Sequence, residues 1–408
     1  MKGSPVNRRQ FLRRAAGLPL FLLPAACRST EAMRFSGAPL VPACQAPTFE
    51  DTERWNKVLV LVELAGGNDG LNTVVPYSDS NYYDLRPTTA LARENVIQLD
   101  ERLGFNSLLE PLLPLWKSCQ MAVALGVGYP GPNFSHFRSI DIWDTASGSN
   151  EFLSEGWISR LFAGARPPVE FAADAVVLGR NAIGPVKGKN IRTAVLNNPN
   201  LLKVAKRMRK LPMTEENPAL AHLTGVQTDA RHAARVILEK HLEDVELGTQ
   251  FPEDAFGQQM EIAARLIVSS SPVPVIKTAI KGFDTHAGQS VDHPELLASL
   301  ANGLAAFAQT VKAKGHWDRV LVMTYSEFGR RPKENDSDGT DHGTSAPHFL
   351  IGGRVRGGFY GEQPPLDDLV ARNLTHRLHF RSLYATAARE WWGLKADFIK
   401  EKGLGCIV

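Results

Sequence analysis

The sequence predicts an α/β fold built on a mainly parallel sheet, and three observations lead there. Near-continuous apolar runs, KVLVLVEL (Lys57 to Leu64), QMAVALGVG (Gln120 to Gly128), PVIKTAI (Pro274 to Ile280) and RVLVMTYS (Arg319 to Ser326), read as strands buried on both faces. Amphipathic helical stretches lie between them. A knot of polar residues follows directly after each run, where open parallel sheets carry their ligand sites.

The elements follow in order. The first run breaks at Gly66-Gly67 into NDGLNT. Ser107 to Ser118 places Leu108, Leu109, Leu112, Leu113 and Trp116 on one side of a helix. The second strand opens into the loop YPGPNFSHFRS, and the third into GFDTHAG. Pro294 is the expected start of a long helix, with Leu296, Leu297, Leu300, Leu304, Phe307 and Val311 at helical spacing and Gly315 closing it. HFLIGG (His348 to Gly353) reads as one more strand, reached through a loop crowded with charge. The stretch 166–259, with LLKVAKRMRK and a charged helix around 230–246, is expected to form a cap or peripheral insert. Its basic run reads as a solvated face.

Residues 1–30 read as an address. Arg8 and Arg9 precede Phe11, Leu12 and the short apolar run Leu18 to Ala26, and so resemble a twin-arginine export signal. That expectation brings the twin-arginine translocon as a partner and a periplasmic or exported destination. LPAAC, ending at Cys27, resembles a lipoprotein cleavage site and would place a lipid anchor there. Residues 31–54 read as a linker, leaving 55–408 as the folded domain.

Bulk properties narrow the function classes. Apolar content of 43% and charged content of 22% are ordinary for a globular enzyme. A formal net charge of +3 over 408 residues offers no electrostatic footprint for nucleic acid. Cys27, Cys44, Cys119 and Cys406 form no CxxC pair, so neither a zinc ribbon nor a disulfide scaffold is expected.

Chemistry concentrates in two segments. GFDTHAGQSVDH carries Asp284, His286, Asp292 and His293; the stretch from Val320 to Gly353 carries Glu327, Asp341, His342 and His348. Carboxylates and neutral imidazoles together suit a hydrolytic divalent ion, zinc or manganese, with calcium a further candidate. DSDGTD resembles the opening of an EF-hand, but a loop of that length counted from Asp336 ends at Pro347 instead of Glu. Ser135 and His136 are the candidate catalytic pair: a hydroxyl entering a helix sits in a field favouring anions, though it also suits a helix cap. No GxSxG elbow and no P-loop spacing occurs.

ELAGGNDGLNTVVPY, SHFRSIDIWDTAS, GFDTHAGQ, TYSEFGRRPKENDSDGTDHGTSAPHFLIGG, GGFYG and FRSLYATAAREWWG resemble, in this order, the bacterial family called domain of unknown function 1501. The likeness runs from about Trp55 to Leu394. It implies membership of the alkaline phosphatase and sulfatase superfamily, hence a three-layer α/β/α sandwich. It also implies one or two metals at the strand ends and a Ser, Thr or modified Cys nucleophile acting on phosphate or sulfate esters.

Carried over by residue, the resemblance implies a first metal on Asp284, His286 and His342. A second would take Asp69, the nucleophile Ser135, and an Asp-His pair after a later strand. By position that pair falls on Ser326-Glu327, with His348 turned away; by residue type it falls on Asp341-His342, with His348 as the last ligand. The positional alignment is preferred, because strand-end geometry is harder to change than a residue. His379 stands where relatives commonly carry Asp. The expected function is an exported metal-dependent hydrolase of a small-molecule or polymer ester. The alternative is a catalytically inactive binding protein of the same shape at the cell envelope.

Overall fold

Runs of β-branched and leucine side chains make the long strands, and their alternation decides which layer each residue joins. The computed structural model describes residues 53–179, 182–189, 191–196, 244–271 and 273–408. Its strands, in chain order, are β1 (Val58–Ala65), β2 (Val74–Val75), β3 (Val96–Gln98), β4 (Gly104–Asn106), β5 (Met121–Gly128), β6 (Ala175–Leu178), β7 (Thr193–Leu196) and β8 (Val275–Lys281). There follow β9 (Val320–Tyr325), β10 (Gly329–Asn335), β11 (Gly339–Gly343), β12 (Ala346–Gly352), β13 (Gly358–Tyr360) and β14 (Leu378–His379).

Nine of these form one sheet in the order β13-β5-β12-β9-β1-β8-β6-β7, with β14 beside β5. β1 lies at the centre, parallel to both β8 and β9. β12 alone runs antiparallel, paired to β5 on one side and β9 on the other. Along β1, Val58, Val60, Val62 and Leu64 enter one core with the helices Ala255–Val268 and Gln289–Ala313. Leu59 and Leu61 enter the opposite core with the helices His136–Thr145, Trp157–Gly164 and Arg381–Ala385. That two-sided burial is the three-layer α/β/α sandwich. β2, β3 and β4 form a small separate sheet.

Three expectations need correction. The charged stretch before HFLIGG is no loop: β10 and β11 pair as an antiparallel hairpin from Gly329↔Gly343 to Asn335↔Gly339. Its tip holds Asp338 at φ 53, a conformation an Asp side chain tolerates. The long helix starts at Gln289, not at Pro294, because the hairpin tip completes its first turn. Gly288 N donates to Ser337 O, and Gln289 N to Asp338 O. The segment expected as an insert begins inside the sheet, since β6 and β7 extend it beyond β8; residues 197–243 lie outside the described residues. So do the signal-like residues 1–30, Cys27, and all of the linker but Glu53 and Arg54. Among the described residues no helix is long and apolar enough to cross a membrane.

Candidate metal centre

Parallel order brings the loops after β1, β8 and β9 side by side. Gly66, with φ +120, lies so close to the β8 loop that a Cβ would come within 2.3 Å of Asp284 N. Ser326 Oγ donates to Leu64 O. Gly66 N donates to Glu327 Oε1 at 2.9 Å, and Asn68 N to Ser326 Oγ at 3.2 Å. Arg330 locks all three loops. Its guanidinium donates to the carbonyls of Gly66, Gly67, Phe283 and Thr340 and to Asp284 Oδ1.

Into this frame come three imidazoles. His136 opens the helix after β5; its Nδ1 faces Glu327 Oε1 at 3.0 Å and its Nε2 faces Asp284 Oδ2 at 3.3 Å. His342 comes from β11, with Nδ1 donating to Phe134 O at 2.7 Å and Nε2 lying 3.1 Å from Asp284 Oδ1. His286 follows β8, with Nδ1 3.6 Å from Asp341 Oδ1 and Nε2 3.2 Å from Asp284 Oδ1. In each ring Nδ1 faces an oxygen acceptor and Nε2 faces Asp284. With the proton held on Nδ1 in His136 and His342, where it meets an acceptor within 3.0 Å, their Nε2 atoms present lone pairs to the carboxylate, and the Nε2 atoms of His286 and His342 are 2.8 Å apart. Such crowding of acceptors is unfavourable unless a proton or a cation sits among them.

Electrostatics follow from the same contacts. Burial alone would raise Asp284, but the hydrogen bond from the Arg330 guanidinium, with that cation's charge, holds it down at about 2. The hydrogen bond with Glu327 holds His136 above its usual range, while burial lowers His342. A cleft of about 360 Å³ opens beside the cluster, lined among others by Glu63, His136, Phe137, Lys281, Asp284 and Glu327.

His136, Asp284 and His342 form a group whose ligand atoms come close enough together to hold a metal ion. Zinc at its usual bond lengths has tetrahedral edges of about 3.3 Å, which the two Nε2–Asp284 separations approach. His286 lies against two members of the group, with Nε2 2.8 Å from His342 Nε2 and 3.2 Å from Asp284 Oδ1.

The other expected residues fall around it. Glu327 lies behind His136, its Oε1 3.0 Å from the ring's Nδ1 and 2.9 Å from Gly66 N. Asp341 backs His286 and pairs with Arg331 at 3.5 Å. Asp69 is committed elsewhere: its two oxygens accept from Arg86 and one also accepts from Gln289, so it is a buried ion-pair member. His348 is buried against Trp143, with ring centroids 5.3 Å apart, and its Nδ1 has no partner. Ser135 occupies the N-cap position, exposed, yet its hydroxyl does not cap the helix. His379 lies 3.6 Å from Glu401.

The sequence reading missed the depth of Arg330's role and the buried pair Lys277–Glu63 at 2.6 Å. The latter had a signal: each is a lone charge inside an apolar strand.

A family model described as Protein of unknown function (DUF1501) matches residues 116–392. Among solved structures the chain is similar to Ps i-CgsB, at 9% identity and a TM-score of 0.39, covering 85% of this chain and 75% of that one. It is similar to the lipoteichoic acid synthase LtaP from Listeria monocytogenes, at 10% identity and a TM-score of 0.33, covering 72% and 65%. It is also similar to the PsFucS1 sulfatase from Pseudoalteromonas sp., at 7% identity and a TM-score of 0.36, covering 86% and 73%. None of the curated proteins matches the chain.

Proposed function

Because the chain belongs to the DUF1501 family, whose function is unknown, its own residues must carry the argument, and we propose that it is an exported, metal-dependent hydrolase of phosphate or sulfate esters. The observation that carries this reading is the convergence of imidazole Nε2 atoms on Asp284, each with its Nδ1 turned to an outer oxygen. Metal-binding histidines are oriented in that manner, by a carboxylate or carbonyl on the far ring nitrogen. His136, Asp284 and His342 would hold the ion, with His286 beside them; zinc or manganese suits the donors. When bound, such an ion polarises an ester oxygen and lowers the pKa of a nearby hydroxyl or water.

The chain's own groups supply the rest. Glu327 fixes the His136 ring and keeps its proton on Nδ1. Arg330 holds one oxygen of Asp284 and leaves the other toward His136. Ser135, adjacent to His136 and free of the helix cap, is the proposed nucleophilic hydroxyl. Asp69 takes no part, which leaves a single-ion site. The signal-like residues 1–30 support export as a folded protein through the twin-arginine translocon, with Cys27 the proposed lipid attachment point.

One observation favours the second reading, an inactive envelope binding protein. Arginines already neutralise two of the expected metal carboxylates, Arg330 at Asp284 and Arg86 at Asp69. Metal analysis joined to turnover separates the two. The hydrolase should retain a divalent ion and cleave nitrophenyl phosphate or sulfate, and should lose cleavage in both Ser135→Ala and His342→Ala. Retained metal with no turnover on a broad ester panel leaves the binding protein; no metal and no zinc-induced rise in melting temperature overturns the metal reading.

A further inference from the structure

The cleft beside the cluster contains three carboxylates, and each is already engaged. Glu63 Oε2 accepts from Lys277 at 2.6 Å. Glu327 Oε1 accepts from Gly66 N and faces His136. Asp284 accepts from Arg330 at 2.7 Å. Lys281, at the end of β8, lines the same cleft and is exposed. Among the described residues no carboxylate pairs with it. It is the uncommitted charge of a cleft whose other charges are balanced locally. The same cleft is lined by Phe137, 88% exposed, and by Ile140 one helical turn further on. An exposed phenyl ring lining a charged cleft offers a flat apolar face to a ligand that enters it.

Resting on the hydrolase reading, we propose that Lys281 and Phe137 form the recognition edge of this cleft, for an ester whose anionic group is carried on a ring. Lys281 attracts the anionic group as it approaches the imidazoles. Phe137 stacks on the flat apolar face of the ring, whether aryl or sugar, and so favours ring esters over open-chain ones. Specificity then comes from the helix after β5 and the end of β8, two elements that also deliver His136 and the Asp284 loop.

Calorimetric binding of phenyl phosphate, a hexose phosphate and ethyl phosphate tests this without turnover. The wild type should bind at least one ring ester about three- to tenfold more tightly than ethyl phosphate, and Phe137→Ala should erase that preference. Lys281→Ala should weaken all three ligands alike, by up to about fivefold. No ring preference in the wild type, or an unchanged preference in Phe137→Ala, overturns the role of Phe137. Unchanged affinities in Lys281→Ala overturn that of Lys281. Zinc titration of the wild type and both variants is read separately. A wild type that binds ring esters in this pattern but takes no zinc overturns the metal reading alone.

Discussion

Arg330 Nη2 donates to Asp284 Oδ1 across 2.7 Å, from a side chain that solvent does not reach. The same guanidinium holds carbonyls from the loops after β1 and β8 and from β11, so the carboxylate at the centre of the cluster is positioned by the core beneath it.

Arg330→Met should therefore act on stability first. It strands the carbonyls of Gly66, Gly67, Phe283 and Thr340 and a carboxylate beside them, a loss on the order of 3–5 kcal/mol. Arg330→Lys should recover less than half, because a point-like ammonium cannot reproduce the planar fork. Urea unfolding of the three proteins measures both differences.

Zinc affinity should sort the histidines. His136→Ala and His342→Ala remove donors of the group and should abolish tight binding. Glu327→Gln removes an outer support and should weaken it by about 10–100-fold. His348→Leu, with its ring packed against Trp143, should leave it unchanged. Competition against a chromophoric chelator reads all four, and zinc loss in His348→Leu would restore the alignment by residue type.

Asp69→Asn should behave in the opposite sense to a ligand variant. It leaves Arg86 fully buried without its carboxylate, costing about 3–5 kcal/mol, while zinc affinity stays that of the wild type. A drop in zinc affinity with an unchanged melting temperature would return Asp69 to the metal site.

His348 should make stability depend on pH. Burial pushes its imidazole down to about 3, from 6.5 when unfolded. Between those values the unfolded chain binds a proton that the folded chain does not. The contribution is complete above pH 6.5 and falls by up to about 1.4 kcal/mol for each pH unit below it. His348→Leu should remove this dependence between pH 6 and 4, a window above the range in which Asp284 titrates. Urea unfolding at pH 7, 5 and 4 checks the difference in slope. Parallel curves for the two proteins would show that His348 is not the group responsible.

The central strands were legible because a run such as VLVLVELA has one physical solution, burial on both faces. Direction is not encoded in such a run. β12 reads like its neighbours, yet runs against them, since hydrophobicity does not distinguish parallel from antiparallel pairing. β10, GRRPKEN, was illegible because its residues serve ion pairs and carbonyls where a strand pattern would call for alternation. The cluster was legible in composition and only partly in membership. Asp284, His286 and His342 do meet. Asp69 looked equivalent because nothing in NDGLNT announces Arg86 as its partner. His136 looked like a companion of Ser135 because its carboxylate partners, Asp284 and Glu327, lie far along the chain.

The reversed course of β12 has a consequence for how this architecture can vary. The chain leaves β9 at the ligand end of the sheet, makes the β10–β11 hairpin, and re-enters at that same end as β12. The hairpin is thus an excursion that begins and finishes beside the cluster, while the pairing of β12 with β5 and β9 holds its base in register. Residues added or lost at its tip would leave the sheet intact and alter instead how the hairpin leans on the Gln289 helix and where His342 is carried. Evolution could retune the mouth of this protein by changing the length of one ribbon, without touching a core side chain.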